Sequence, residues 1–262
     1  MDFIAQYAAS DLFWIGLGLF LIGMSKGGFP VGTLALPLLI LVWPTQTQAA
    51  RSAIGFMLPM LCVMDVIALL FYWKKVLWGR LIYLMPATLA GVTAASFFFV
   101  SDTAIVSVSD QMLKMIIGIL GLLFVFYFLL KRWIFRHVQK SEPNWTKGTL
   151  FGFTAGVTST LAHAAGPVMQ MYLLPQQLEK KSFAATSCAY FWMLNLIKLL
   201  PFILLGRIHV AHLKLGATLL PIIPLGVGLG WWLTHKTKQR HYTALIYTAL
   251  FITSILLILK SH

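Results

Sequence analysis

Lys26 lies in the stretch SKGGFPVG (residues 25–32), with Gly27, Gly28, Pro30 and Gly32 beside it, inside an apolar run from Leu12 to Trp43. Glycines permit positive φ and close approach to backbone N–H groups. A helix restarting near Pro30 aims free N–H groups and its positive dipole end at the break, and Lys26 adds a full charge there. That combination is an anion site. The stretch TSTLAHAAGPV (158–168) repeats the logic with hydroxyls from Thr158, Ser159 and Thr160, then His163 and Gly166, with Pro167 as first residue of a second arm. Asp65 and Asn195 each stand thirteenth in an apolar run, and Lys198 follows Asn195 by one turn on the same face. An ion buried in lipid needs a partner, so Asp65 is expected to pair with Lys198 or Lys26. Asp65 and His163 are the candidates for proton coupling.

Each feature also has a plainer reading. Membrane helices use glycine for packing, and Lys26 at a shallow depth would snorkel to the interface. His163 would then be a satisfied interior histidine, and Asp65 part of a structural ion pair. Ser159 and His163, four apart, form the one nucleophile–base spacing that an enzyme could use. The G-x-x-x-x-G-K-[ST] phosphate loop is absent, which argues against an ATP-driven mechanism. Cys62 and Cys188 lie within apolar runs as small hydrophobes, with no disulfide, metal or cofactor implied.

These residues must be held by membrane-spanning helices. Of 262 residues, 59% are hydrophobic and 10% charged, and the mean hydropathy is +0.84. Runs of about 20 apolar residues match a hydrocarbon core of ~30 Å. The net charge of +13 does not indicate a nucleic-acid partner. Basic residues collect in short loops (Lys74, Lys75, Arg80; Lys131, Arg132, Arg136, Lys140, Lys147; Lys236, Lys238, Arg240), the cytoplasmic bias of inner-membrane proteins. No secretory cleavage site precedes the first span.

Continuous spans are expected at 53–73, 81–100, 112–130, 183–205, 213–233 and 241–259. The regions 12–43 and 148–175 are each broken near the middle, the first into arms 12–23 and 30–43 of roughly 20 Å as helix. Loops 131–147 and 234–240 are both basic, so 148–175 must return to the side it entered from. The same count makes 12–43 a hairpin, with loops 44–51 and 100–110 (Asp102, Asp110) outside and both chain termini external. At an offset of 134, Gly18 matches Gly152, Gly32 matches Gly166, Ala50 matches Ala184, Ser52 matches Thr186, Val76 matches Val210 and Leu81 matches Leu215. One residue further on, Pro86 matches Pro221 and Gly91 matches Gly226. The expected organisation is therefore a first transmembrane repeat (1–133), a basic linker (134–147) and a second repeat (148–262) of inverted topology. Transporters build midplane sites from such paired broken helices.

The stretches GMSKGGFPVGTLALPLL, STLAHAAGPVMQMYLLPQQL and YFWMLNLIKLLPFILLG (190–206) resemble the TauE/SafE family of sulfite-exporter-like permeases, over nearly the whole chain. Lys26, Gly27, Gly28, Gly32, His163, Gly166, Pro167, Asn195 and Lys198 fall in the family's signature stretches. Ala165 stands where a glycine is usual. The resemblance implies a bacterial inner-membrane transporter of sulfite, organosulfonates or other small sulfur anions.

The expectation is an all-α polytopic membrane protein of two inverted repeats, each a broken hairpin plus three transmembrane helices. Its function is secondary transport of a small anion at the hairpin tips, with the lipid bilayer and the anion as partners. Protons are open as a coupling ion and a homo-oligomer is compatible. The substrate-binding set is Lys26, Gly27, Gly28, Gly32, Thr158, Ser159, His163, Gly166, Asn195 and Lys198. The alternatives are an uncoupled anion channel of the same fold and a non-transporting membrane assembly factor.

Overall fold

With no water inside a bilayer, an open chain can satisfy its backbone only as helix. The computed structural model has no strand among its described residues, which are 8–27, 29, 31–44, 49–97, 109–134, 142–236, 248, 251–252, 254–256 and 258–259. The helices are α1 (Ala9–Lys26), α2 (Gly32–Val42), α3 (Ala49–Tyr72), α4 (Trp78–Leu81), α5 (Met85–Ala95) and α6 (Asp110–Ile134). After these come α7 (Trp145–Ala162), α8 (Gly166–Leu173), α9 (Lys180–Leu204), α10 (Val210–Leu219) and α11 (Ile222–Lys236). Among the described residues, four segments (Ala9–Lys26, Ala49–Leu70, Asp110–Tyr127, Ser182–Leu204) are long and apolar enough to cross a membrane.

Three expectations change. The region 213–233 is two helices bent by 55° at Leu220–Pro221, because Pro221 has no N–H and its ring collides with the carbonyl four residues earlier. The region 81–100 likewise breaks into α4 and α5 just before Pro86. These two prolines are the pair matched in the sequence at an offset of 135, and each stands at the start of the helix that follows its break. The first arm is longer than expected: α1 continues to Lys26, 18 residues or about 27 Å. Its last turns are held by close packing, with Gly23 against the Ile223 carbonyl and the Gly226 backbone of α11. Pro30, most of the expected span 241–259 and half of the linker (135–141) lie outside the described residues.

Glycine sets which helices meet. On α7, a Cβ at Gly148, Gly152 or Gly156 would run into the carbonyls of Tyr83, Leu84 and Thr88 at α5, and a Cβ at Gly91 on α5 into that of Phe153. On α11, a Cβ at Gly226 or Gly230 would overlap the carbonyls of Phe20 and Met24 on α1. Both pairs run in the same direction, backbone on backbone, the small-residue packing that membranes favour. The matched glycines Gly91 and Gly226 therefore occupy equivalent contacts. Gly18 and Gly152 do not, since Gly18 faces Leu39 of α2. The antiparallel helices α3 and α9 cross between the two glycine-packed pairs: Leu77 N–H donates to Thr186 Oγ1 (3.1 Å), Asn195 reaches Asp65, and Gly55 abuts the Arg207 backbone.

Polar contacts gather at two faces. At one, Arg80 bonds Glu142 (2.8 Å) and Gln176 (3.2 Å), and Tyr83 packs on Trp145 at 5.1 Å between ring centroids. The α7–α8 unit therefore enters and leaves on one face. At the other, Asp110 accepts the Ala50 and Arg51 N–H groups that open α3, and Trp43 packs on His212. α1 and α2 fold back likewise, with Gly18 beside Leu39 and Gly32 beside Ser25.

Gly230→Leu and Gly156→Leu should each lower stability by about 1–3 kcal/mol through overpacking. Gly228 has nothing within 4 Å of a built Cβ. Gly228→Ala should therefore be neutral or stabilising, and thermal unfolding in detergent separates the two classes.

Candidate functional site

Two polar networks meet where α3 and α9 cross. Asp65 on α3 is fully buried. Its Oδ1 takes the ammonium of Lys26, the last residue of α1, and its Oδ2 accepts from Asn195 Nδ2 at 2.6 Å. Of the two partners foreseen for Asp65, the structure selects Lys26. Lys26 Nζ also lies 4.9 Å from the centroid of the Phe191 ring, a cation–π contact. It is therefore held inside the bundle rather than snorkelling outward.

One turn along α9, Lys198 is also fully buried. Its ammonium donates to the Ser159 carbonyl (3.1 Å), to Ser159 Oγ (2.9 Å) and to His163 Nδ1 (2.8 Å). An ammonium has three N–H bonds, so all three are taken. The Ser159 carbonyl belongs to the last turn of α7, where the negative end of the helix dipole favours a cation. With Nδ1 accepting from Lys198, the His163 ring carries its proton on Nε2 and donates it to the Ile54 carbonyl at 3.0 Å. Protonating Nδ1 while Lys198 is an ammonium would set two N–H donors against each other, so Lys198 and His163 together hold at most one positive charge. Neither ring nitrogen is placed to act as a base on Ser159 Oγ, which removes the enzyme dyad.

Local sequence explains these positions. His163 ends α7 in the left-handed region (φ 47°), a conformation that costs a non-glycine residue about 1–2 kcal/mol. Both ring bonds hold it there. The Ile54 carbonyl lies next to that of Gly55, whose intrahelical donor is absent because residue 59 is proline. The α8 helix restarts at Gly166, one place earlier than expected, so Pro167 is its second residue.

Of the sequence-predicted residues, Lys26, Asp65, Asn195, Ser159, His163 and Lys198 come together. Thr158 does not: its hydroxyl donates to the Thr154 carbonyl at 2.8 Å, and Thr160 does the same to Gly156. Gly27 serves the contact of α1 with α11, and Gly32 closes the first hairpin against Ser25. Gly166 opens α8 with nothing within 4 Å of a built Cβ. Gly28 lies outside the described residues. Phe191 and the Ile54 carbonyl were missed. Phe191 was within reach, since Phe191, Asn195 and Lys198 share one face at i, i+4 and i+7.

The family model for the sulfite exporter TauE/SafE matches residues 14–257. The chain belongs to that family. No curated protein and no solved structure matches the chain. Membership in the TauE/SafE family makes it a multi-pass membrane permease of the sulfite-exporter type, seated in the lipid bilayer, and the match spans both polar networks.

Removing one member of a buried ion pair costs about 3–5 kcal/mol, because the other charge is stranded. Lys26→Met should therefore destabilise the protein by about that much. Adding Asp65→Leu should recover most of it, by the same relief of an unpaired buried charge. Thermal unfolding of the two single variants and the double one in detergent measures the coupling.

Proposed function

We propose that this permease is a secondary transporter of a small anion, a sulfur-containing oxyanion or an organosulfonate, bound midway through the membrane at the tips of the two hairpins. The observation that carries the reading is a buried charge imbalance. Lys26 and Lys198 converge where α3 and α9 cross, against one carboxylate among the described residues, that of Asp65. Lys198 is met by neutral acceptors alone among the contacts of its ammonium. An excess positive charge in an apolar bundle favours the entry of an anion.

The packing supports two inverted repeats (1–133 and 148–262) joined by the basic linker 134–147. α5 of the first half pairs with α7 of the second, α11 with α1, and α3 crosses α9. Exchanging the halves exchanges the two glycine-packed pairs and leaves the central crossing in place. Each glycine-packed pair joins helices from both halves, so rocking about the α3–α9 crossing would move the hairpin tips relative to one another. The basic face, carrying Arg80 and Lys147, is placed in the cytoplasm of a bacterial inner membrane, with both termini on the other side.

In proteoliposomes, radiolabelled sulfite or a small sulfonate should show saturable flux. Lys26→Ala and Lys198→Met should lower it at least thirtyfold, about 2 kcal/mol or more of lost charge pairing. Thr93→Val, on an exposed position of α5, should leave it unchanged. Full flux in both lysine variants would contradict the proposed site.

A further inference from the structure

Both carboxylate oxygens of Asp65 are occupied, one by Lys26 and the other by Asn195. The Lys26 side chain keeps an outward path, at 13% exposure, whereas Asp65 has none. Lys198 offers an arriving anion less, because the tip of the second hairpin takes all three of its N–H bonds. An anion entering the site therefore meets the Lys26 ammonium first, and it competes there with Asp65.

Winning that competition leaves Asp65 Oδ1 without its counter-ion. Among the described residues, the other groups near Asp65 are Asn195 on α9, Lys198 one turn further on α9, the Cys62 thiol one turn earlier on α3, and Cys188, whose Sγ lies 4.0 Å from the Asp65 carbonyl oxygen. None puts a second ammonium on the carboxylate, since Lys198 is committed to Ser159 and His163. A bare carboxylate in this setting is strongly disfavoured, and taking up a proton removes the charge. Asn195 can go on donating to Oδ2 in either state of Asp65.

We propose, on the reading that this site carries an anion, that each anion bound by Lys26 brings one proton to Asp65, which makes the chain a proton–anion cotransporter. The proton comes from the aqueous phase and forms one O–H bond on the carboxylate. Lys26 keeps its three protons and changes partner from Asp65 to the anion. A monovalent anion then loads without change in the net charge of the site. By linkage, affinity for an anion of fixed charge falls tenfold per pH unit over the range where Asp65 is ionised in the empty site and protonated in the loaded one.

Isothermal titration of the purified full chain in detergent tests this directly. An alkyl sulfonate, whose charge does not vary with pH, is titrated in two buffers of different ionisation enthalpy, and sulfite alongside with its own ionisation subtracted. Wild type should take up about one proton per anion bound, by the linkage above. Asp65→Asn should bind with no proton uptake and no pH dependence, and Asp65→Glu should restore both. Binding by wild type without proton uptake overturns the coupling and leaves the anion site standing. No binding of either probe at any pH overturns the anion site itself, and the coupling with it.

Discussion

A carboxylate buried between two helices of an apolar bundle has few ways to exist. Asp65 has an ammonium on one oxygen and an amide on the other, and each comes from a different helix. That requirement fixes the depth of the tip of α1, because Lys26 is its last residue, and the register of α9, because Asn195 must face α3. Once α9 is set, Lys198 falls one turn away and meets the end of α7. The two hairpins are thus tied to the same crossing by charge. Neither network could slide by a turn without leaving a buried ion unpaired, at a cost of several kcal/mol.

Backbone packing makes that geometry reachable. Polar and charged side chains from four helices can converge only if the surrounding helices come close, and the glycine contacts of α5 with α7 and of α1 with α11 provide this. Proline does the complementary work. Pro86 and Pro221 each stand at the start of the helix that follows a break, and Pro59 disturbs the α3 ladder beside the carbonyl that receives His163. Broken helices at membrane depth are tolerated because their freed groups find partners in the protein. The left-handed His163, bonded through both ring nitrogens, is the clearest case.

Much of this was legible in the chain. The membrane class followed from composition, and family membership from the two broken motifs. Asp65, Lys26, Asn195 and Lys198 stood out because a polar residue in the middle of an apolar run needs a reason. What the sequence could not resolve was which of several short-range options each group takes. Thr158 and Ser159 are adjacent hydroxyls, and only the rotation of α7 about its axis decides that Ser159 faces Lys198 while Thr158 bonds back to its own helix. Spans 81–100 and 213–233 read as continuous because their hydropathy is uninterrupted; the proline breaks show only in backbone geometry. α1 ran past its expected end because a glycine signals a break and a close packing contact equally well. Gly23 turned out to be the second.

The central claim is that the excess positive charge at the α3–α9 crossing holds the transported anion. Selenite, the heavier analogue of sulfite, tests it most directly through its anomalous scattering in crystals of the full chain. The account predicts one strong peak at hydrogen-bond distance from Lys26 Nζ, between the tips of the two hairpins, with Lys26 moved off Asp65. A peak elsewhere, with the Lys26–Asp65 pair intact, would contradict it.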